Sequence, residues 1–240
     1  MPITLTLSIV SHGQAALIKP LLDDLTHLAF DYIEVIITIN IPEDETPFQN
    51  LPFSCQIIRN NVPKGFGANH NGAFEQSSGQ FFVVVNPDIR LPSLDFAKLL
   101  DVMQDLEVGA VAPVVLNSAG VVEDSVRSFP TVLGLARRVL FGLRVPSYKF
   151  ESKPIDVDWA AGMFVVFRRE SYQAVCGFDN QRFFMYLEDV DICWRLKEKG
   201  WRVVLQPSVT VIHDAQRASR RSLRHMRWHI TSAFRYLTGL

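Results

Sequence analysis

The sequence predicts an α/β fold with a mostly parallel central sheet and helices on both faces. Two apolar runs, at residues 33–40 and 81–85, have the composition of strands that are buried on both sides. Helical periodicity occurs between the strand-like runs, and such alternation favours parallel strands joined by crossover helices. With 240 residues and 48% hydrophobic content, the chain is long enough to bury a large core.

Local patterns place the individual elements. The leucines at positions 17, 21, 25 and 28 form one stripe of the first helix, and Ser93 is a candidate N-cap of the third. Strands are expected at residues 3–10, 33–40, around 57 and at 81–85, and helices at 13–30, 69–76 and 93–106. The second half mixes strands with irregular segments, and a stretch from about residue 116 to 156 is predicted to be mobile. One compact unit with two sub-regions fits this pattern best.

The composition limits the partners and the compartment. The net charge of −1 predicts no nucleic acid partner. Three cysteines without CxxC spacing predict reduced thiols in the core of a cytoplasmic protein. No basic leader precedes the first strand, and no apolar run approaches the roughly 20 residues that span a bilayer.

Polar residues follow each predicted strand of the first half. Open parallel sheets bind ligands outside the carboxyl ends of their strands, so these residues are expected to meet at one edge. They are Ser11, Asn40, the segment PKGFGAN with Lys64, Gly65 and Asn69, and the pair Asn86 and Asp88. The glycines of KGFG allow backbone amides to approach a nucleotide closely. A tight turn into an Asn-capped helix is the alternative explanation of this segment.

The triplet Asn86-Pro87-Asp88 closes a purely apolar strand, FFVVV. Pro87 ends the ladder of hydrogen bonds, so the polar side chains on either side of it are expected to point out from the strand tip. One oxygen from each is a suitable ligand for a divalent cation that carries phosphates. The alternative is an Asx-turn that leads into the next element.

Two adjacent acids, Glu188 and Asp189, lie where the aromatic segment FFMYL gives way to a helical pattern that Gly200 can end. A carboxylate held at such an edge, near a pocket, can be tuned into a general base. The pair therefore predicts an enzyme. Asp191 and Arg195, four residues apart in the same helix, are expected to form an ordinary surface ion pair with a structural role.

The C-terminal segment, residues 216–240, predicts a basic amphipathic helix. Its basic positions are Arg220, Arg221, Arg224, His225, Arg227 and His229, and its apolar positions are Leu223, Met226, Trp228, Ile230 and Phe234. This interleaving at helical spacing is typical of helices that lie on anionic membrane surfaces. The alternative is a helix packed on the domain with a solvated basic face.

These features, in this order, resemble the family-2 glycosyltransferases of the GT-A fold over nearly the whole chain. The matching pieces are LSIVSHGQ, NVPKGFGANHNGAF, VVVNPDIRL, the segment from WAAGMFVVFRR to LEDVDICWRLKEKGW, and VTVIHD. The subgroup that looks most similar is that of bacterial rhamnosyltransferases of cell-surface polysaccharide and lipopolysaccharide synthesis. The resemblance implies an inverting transfer of a sugar, in this subgroup rhamnose, from a nucleotide-diphosphate donor to a saccharide or lipid-linked saccharide acceptor.

The resemblance also implies roles for individual residues. Asp88 would bind a Mg²⁺ or Mn²⁺ ion together with the donor diphosphate, with Asn86 beside it and His213 completing the metal site. Asp189 would be the catalytic base, with Glu188 as its neighbour and second candidate. The nucleotide-sugar site would comprise Ser11, Asn40, Lys64, Gly65, Asn69, Asn86 and Asp88.

Two positions in the segment WAAG, just before the strand-like run MFVVFRR, are candidates for acceptor binding. Trp159 either forms part of the acceptor wall or belongs to the core. Gly162 either lets a sugar approach the backbone or packs the sheet.

The same resemblance implies that the chain consists of one domain followed by a C-terminal helix. Residues 1–215 would form a single GT-A domain, with a Rossmann-like nucleotide-sugar-binding half at 1–92 and an acceptor-binding, catalytic half at 93–215. Residues 216–240 would be the basic helix, which would hold the protein at the inner face of the membrane near a lipid-linked acceptor.

Two positions depart from the family pattern. Asn40 stands where the second strand usually ends in Asp-Asn, and Asn86 replaces an aspartate of the metal triplet. An amide oxygen still coordinates a cation, but with less charge the affinity should fall.

Two other functions are compatible with such a sheet. A nucleotidyltransferase acting on a sugar phosphate would usually carry a Gly-rich basic loop after the first strand, where this chain has SHGQ. A non-catalytic module that binds nucleotide-sugars or glycans would be indifferent to replacement of Glu188 and Asp189.

Overall fold

The computed structural model describes residues 4–28, 32–130, 148, 153–213 and 223–238, with side chains from 227 onward in the last range. The strands are β1 Leu5–Ser11, β2 Ile33–Ile39, β3 Ser54–Arg59, β4 Phe81–Val85, β5 Ile89–Arg90, β6 Val108–Asn117, β7 Val126–Arg127, β8 Ile155–Val157, β9 Trp159–Ala160, β10 Phe164–Arg168 and β11 Arg202–His213. The described helices are α1 Ala15–His27, α2 Phe66–Gln76, α3 Phe96–Val102, α4 Arg169–Ala174, α5 Glu188–Glu198 and α6 Leu223–Thr238.

Nine of these strands form one central sheet in the order β3-β2-β1-β4-β10-β6-β11-β5, and β8 also pairs with β11. The strands β1 to β4 run parallel to one another, as β6 and β11 do. A small second sheet joins β7 to β9. The predicted α/β fold is confirmed, and its parallel first half follows from the predicted crossovers.

Two apolar cores lie on opposite faces of the sheet. One contains Leu7 and Val83 of the strands together with residues of α1 and α3. The other contains Val84 of β4 together with residues of α2, α4 and α5. Successive residues of β4 thus point into different cores, because side chains alternate across a strand. This explains why its sequence is apolar throughout.

β10 runs antiparallel between β4 and β6. Its first residue, Phe164, pairs with Val85, the last residue of β4. The backbone N–H of Asn86 then donates to the carbonyl of Met163 at 2.9 Å. The start of β10 therefore lies at the edge where the parallel strands end.

The ends of several elements differ from the prediction. The third helix is shorter than predicted and is capped by Asp95, not Ser93, because the Asp95 carboxylate accepts from the Lys98 N–H at 3.3 Å. The second helix begins at Phe66, before the predicted Asn69.

The predicted mobile stretch, residues 116–156, lies partly outside the described residues. Within the described part it contains the end of β6, the strand β7 and the first residues of β8.

The three cysteines are free thiols, and Cys193 is buried as predicted. Cys176 is exposed, contrary to the prediction of a core position, because it lies in a turn with a φ of 58°. Among the described helices, none combines the length and the apolar character needed to cross a membrane.

Candidate functional site

Asn40 ties the end of β2 to the loop before α2. Its amide nitrogen donates to the Lys64 carbonyl (3.0 Å) and lies 3.1 Å from His12 Nδ1, and its Oδ1 accepts from the Lys64 N–H (2.8 Å). Asn60 Nδ2 also donates to Asn40 Oδ1, at 2.9 Å. These bonds use all four positions of the amide group within the protein. Asn40 therefore shapes the loop, and its direct contact with a donor stays a prediction.

Two further asparagines complete this network. Asn60 Nδ2 donates to Asn69 Oδ1 at 2.6 Å, and Asn69 Nδ2 donates to the Lys64 carbonyl at 3.2 Å. The backbone of Lys64 is thus fixed on several sides while its side chain is exposed. An ammonium group presented from a fixed loop at the sheet edge is suited to pair with a phosphate. Asn60 lies at a predicted strand end but was assigned no role from sequence.

Ser11 starts the connection from β1 to α1. Its buried hydroxyl accepts from the Gln14 N–H at 3.1 Å. Gly13 follows with a φ of +72°, a left-handed conformation that glycine adopts without strain. The Ser11 side chain thus supports the turn between β1 and α1, and its contact with a nucleotide stays a prediction.

The glycines of KGFG permit close packing inside the protein. A Cβ at Gly65 would lie 2.3 Å from the carbonyl oxygen of Phe184, and a Cβ at Gly67 would lie 2.6 Å from Phe178 Cβ. The N–H of Phe66 donates to the same Phe184 carbonyl at 3.1 Å. The loop before α2 is therefore fastened to the segment that precedes the acid pair. Whether Gly65 also contacts a ligand stays a prediction.

Asp88, His213 and Glu123 form a cluster where β4, β6 and β11 end. His213 Nε2 lies 3.3 Å from Asp88 Oδ2, and His213 Nδ1 lies 2.7 Å from Glu123 Oε2. Burial opposes the charged imidazole, but the hydrogen bonds and charges of the two carboxylates outweigh it and raise the pKa of His213 to about 9. Glu123 lies in a stretch that the sequence predicted to be irregular, which is why it was missed.

The chemistry of this cluster fits a hard divalent cation. Asp88 Oδ1 is buried and has no hydrogen-bond partner among the described residues. In the described part of the chain, no three His, Cys, Asp or Glu side chains form a complete ligand group. The protein would therefore supply Asp88 and His213, and a bound diphosphate would supply further oxygens, as Mg²⁺ sites often do. Asn86, the third predicted ligand, is half-buried beside them, and its role stays a prediction.

The acid pair begins α5. Glu188 is buried, at 6% exposure, and its Oε2 lacks a hydrogen-bond partner among the described residues. Asp189 is half-buried, and its carboxylate accepts from two backbone N–H groups, those of Gly162 (Oδ2, 3.2 Å) and Val190 (Oδ1, 2.9 Å). Asp189 is thus both more accessible and more firmly oriented than Glu188.

Burial raises the pKa of both acids. For Glu188, the charge of Asp189 adds to the effect of burial. For Asp189, burial outweighs the hydrogen bonds from Gly162 and Val190 and the positive charge of Arg127, all of which favour the ionised form. Two adjacent carboxylates in this environment do not both ionise readily, so each binds a proton more tightly than an ordinary exposed carboxylate.

Gly162 stands between the acid pair and the loop before α2. A Cβ at Gly162 would lie 3.0 Å from Phe66 Cζ and 3.8 Å from Asp189 Cβ. This glycine therefore packs closely against Phe66, and its role in letting a sugar approach the backbone stays a prediction. Trp159 is 8% exposed, and its Nε1 donates to the Ser128 carbonyl at 3.1 Å. This burial favours the core alternative for Trp159, and its acceptor role stays a prediction.

Arg127, in β7, brings a positive charge close to Asp189. Its guanidinium forms an ion pair with Asp124 and lies 5.8 Å from the ring centroid of Trp159. Its Nε is buried without a partner among the described residues, and its charge lowers the pKa of Asp189. Sequence reasoning missed this residue, because no pattern distinguishes one arginine in a stretch predicted to be mobile.

Asp191 is not a surface residue, so that part of the prediction was wrong. It is 5% exposed and accepts from Arg195 Nε at 2.7 Å, and it lies 3.4 Å from Arg182 Nη1. The burial arises because Asp191 lies on the inner side of α5 together with Ile192. Two guanidinium groups compensate the buried charge, and the predicted structural role agrees with this arrangement.

Comparison with known proteins identifies the family. Residues 48–231 match the family model described as "Glycosyltransferase like family 2". The rhamnosyltransferase WbbL of Escherichia coli K12 is 30% identical over 95% of this chain and 90% of its own length. An N-acetylglucosaminyl-diphospho-decaprenol L-rhamnosyltransferase of Mycobacterium tuberculosis H37Rv is 27% identical over 85% of this chain and 74% of its own length.

Solved structures show the same fold. A mannosyltransferase of Pyrobaculum calidifontis, in complex with GDP-Man and Mn²⁺, superposes with a TM-score of 0.66 at 20% identity. The superposition covers 98% of this chain and 66% of that structure. GalNAc-T7 with UDP, GalNAc and Mn²⁺ gives a TM-score of 0.67 at 14% identity, over 89% of this chain and 44% of that structure.

Because the family model matches most of the chain and the E. coli relative is 30% identical over nearly all of it, the protein belongs to glycosyltransferase family 2 and is a glycosyltransferase.

Proposed function

We propose that the protein transfers rhamnose from a nucleotide-diphosphate donor, with inversion, to a hydroxyl of a diphosphate-lipid-linked saccharide. The observation that carries the reaction type is the half-buried Asp189, oriented by the N–H groups of Gly162 and Val190 at the edge where the parallel strands end. The names of the E. coli and M. tuberculosis relatives support the sugar, and the latter also supports the acceptor.

The reaction needs one carboxylate that faces the acceptor. In a direct displacement the acceptor oxygen attacks the anomeric carbon while its proton passes to a base, and no enzyme nucleophile is required. Asp189 is the base in this proposal, because it is more accessible than Glu188. Its raised pKa makes it a stronger proton acceptor than an ordinary aspartate. Glu188, whose own pKa is raised by burial and by the charge of Asp189, is the second candidate for the base.

The donor diphosphate lies, in this proposal, between Asp88 and Lys64. Asp88 and His213 would hold a divalent cation, which neutralises charge on the departing nucleoside diphosphate. The unpartnered Oδ1 of Asp88 supports this assignment, as does Mn²⁺ in two structural neighbours. Lys64 adds a second positive charge from the loop that Asn40 and Asn69 fix. Ser11 and Asn40 shape the nucleoside end of the site.

The C-terminal helix supports attachment to an anionic membrane. Its exposed face carries Ile230, Phe234 and Leu237, which are spaced so that they lie on one side of α6. Arg227 on the same helix is exposed as well. An apolar stripe with adjacent positive charge matches the interface of an anionic bilayer, where a lipid-linked acceptor resides. Arg220 and Arg221 of the predicted basic face lie outside the described residues.

A donor and acceptor screen tests the reaction. The purified chain would be incubated with rhamnose, mannose and glucose donors on different nucleoside diphosphates, with N-acetylglucosaminyl-diphospho-polyprenol as acceptor and with or without Mn²⁺. We expect transfer from a rhamnose donor that requires both the acceptor and the ion. Thermal shift with each donor gives a separate measure of binding, since a ligand stabilises in proportion to the logarithm of its concentration over Kd. Transfer from another sugar alone would contradict the proposed donor.

A further inference from the structure

The turn that precedes the acid pair has an unusual backbone. Tyr186 and Leu187, two consecutive non-glycine residues, have φ angles of 75° and 66°. Leu187 is also the N-cap of α5, and its carbonyl accepts from the Asp191 N–H at 2.9 Å. Left-handed conformations at bulky residues persist only where surrounding contacts impose them. The position of the acids at the start of α5 therefore depends on what holds residues 182–187, here called the catalytic turn.

The loop before α2, which carries Lys64 and Gly65, holds one side of the catalytic turn. The Phe184 carbonyl accepts from the Phe66 N–H at 3.1 Å, and the absence of a side chain at Gly65 permits this approach. This contact fixes the middle of the turn but not the residues next to the acids.

The C-terminal helix holds the other side. Ser232, which is buried, donates through Oγ to the Met185 carbonyl at 2.8 Å. The ring of His229 stacks on the ring of Tyr186, with centroids 3.6 Å apart and an interplanar angle of 11°. These two contacts reach the residues immediately before Leu187.

A reciprocal pair of bonds anchors the start of the turn to the same helix. Arg182 Nη2 donates to the Arg235 carbonyl at 2.9 Å, and Arg235 Nη1 donates to the Arg182 carbonyl at 2.6 Å. Arg182 also contacts Asp191 of α5. Residues 229–235 of α6 thus contact the catalytic turn, while Ile230 and Phe234 on the opposite side of the helix are exposed.

We propose that α6 is a positioning element for catalysis, in which His229 and Ser232 hold the catalytic turn so that α5 presents Asp189 and Glu188 to the acceptor. The inference rests on the proposed role of the acid pair. Neither residue touches substrate in this assignment. Their effect is on the geometry of the base, and a displacement of about 1 Å at a reacting group can cost about a hundredfold in rate. The proposed donor site uses other residues, and the loop that carries Lys64 keeps its own bond to Phe184, so we expect donor binding to be retained when these contacts are lost.

The test compares four single substitutions, and the combination of the first two, in the 240-residue chain. His229→Ala removes the stacked ring, and Ser232→Ala removes the hydrogen bond to Met185. Both substitutions favour a helix, so α6 should still form. His229→Phe restores a flat ring without the imidazole. Thr231→Ala, at an exposed position of the same helix, is the matched control.

For the combined variant His229→Ala and Ser232→Ala, we expect kcat to fall by about tenfold or more while the donor Kd stays within about threefold of wild type. His229→Phe alone should keep kcat within about threefold of wild type, and Thr231→Ala should match wild type. Thermal unfolding would be recorded for every variant.

A combined variant with the kcat of Thr231→Ala would overturn the proposal. A parallel loss of kcat, donor affinity and thermal stability would also overturn it, because that pattern indicates general destabilisation. Asp189→Asn measured in the same assay separates the two proposals. If that variant keeps full activity, the assignment of the base fails, whereas the kcat of the helix variants still decides whether α6 positions the catalytic turn.

Discussion

The backbone N–H of Gly162 donates to Oδ2 of Asp189 at 3.2 Å and so joins the segment before β10 to the start of α5. A main-chain donor fixes the orientation of the carboxylate without adding a titratable group. The same hydrogen bond favours the ionised form of Asp189, while burial opposes it. The Asp189 carboxylate is therefore held in one orientation while its pKa is raised above the ordinary value.

Replacement of Asp189, the proposed base, should abolish most of the transfer. Asp189→Asn keeps the size of the side chain and one acceptor oxygen but cannot take up the proton. We expect kcat to fall by roughly a hundredfold or more, with donor affinity nearly unchanged. The measurement is steady-state transfer together with donor binding by calorimetry. An equal rate in Asp189→Asn and wild type would refute the assignment, and the same loss confined to Glu188→Gln would move the role to Glu188.

Glu188 should make the folded state less stable at alkaline pH. Burial and the charge of Asp189 raise its pKa from 4.5 to about 8 in the folded protein. Between those values the folded state retains a proton that the unfolded chain releases, so the stability of wild type falls as the pH rises through this window. Glu188→Gln removes the effect. We expect the variant to gain in Tm relative to wild type on going from about pH 5 to about pH 9.

The control for this experiment is Glu75→Gln, at an exposed position of α2. Its Tm difference from wild type should not change over the same pH range. A Glu188→Gln difference that is independent of pH would show that the carboxyl titrates normally in the folded protein.

Glu123 should strengthen the binding of a divalent cation through His213. The hydrogen bond at His213 Nδ1 selects the ring orientation in which Nε2 faces Asp88. We expect Glu123→Ala to weaken Mn²⁺ binding by about 10- to 100-fold, and Asp88→Ala to abolish it together with metal-dependent nucleotide binding. Electron paramagnetic resonance of free Mn²⁺ measures the affinity of both variants for the ion without reference to activity. Retained ion binding in Asp88→Ala would remove this residue from the metal site.

The exposed face of α6 should bind anionic vesicles. Changing Ile230, Phe234 and Leu237 together to Ser should reduce binding to phosphatidylglycerol-containing vesicles, because the apolar contact is lost. Changing Arg220, Arg221, Arg224 and Arg227 together to Gln should reduce it as well, and salt should weaken the binding of wild type. Sedimentation with neutral and anionic vesicles gives the comparison. Unchanged binding in both variants would mean that this face of the helix is simply solvated.

The positions of strands and helices could be predicted from the sequence more accurately than the contacts that fix their ends and join them. The apolar run of β4 was predicted residue for residue, because burial on both faces leaves an unambiguous pattern. The cap at Asp95 was missed, since Ser93 and Asp95 are equally suitable by type and only the backbone selects one.

The candidate site shows the same limit. The strand-end positions Asn40 and Asp88 follow from the order of parallel strands, and the structure places both at the edge where those strands end. Glu123 and Arg127 reach the site from a segment with no regular pattern, so only the tertiary fold could reveal them. Asp191 was expected at the surface because a spacing of four residues describes a pair but not the side of the helix that it occupies.

The position of β10 in the sheet has a consequence for how the protein acquires activity as it folds. The strand inserts between β4 of the first half and β6 of the second, so the sheet interleaves the two halves of the chain. Its pairing with β4 joins residues that are distant in sequence, such as Val85 and Phe164. Contacts of this kind form slowly, because the long loop between the two strands must close, at a cost in chain entropy, before the strands can pair. Each half also lacks strand partners that the other half supplies, so fragments covering residues 1–92 and 93–215 should not fold separately. In a chain that emerges from the ribosome, the edge that carries Asp88 and Asp189 is complete only after β10 has been made.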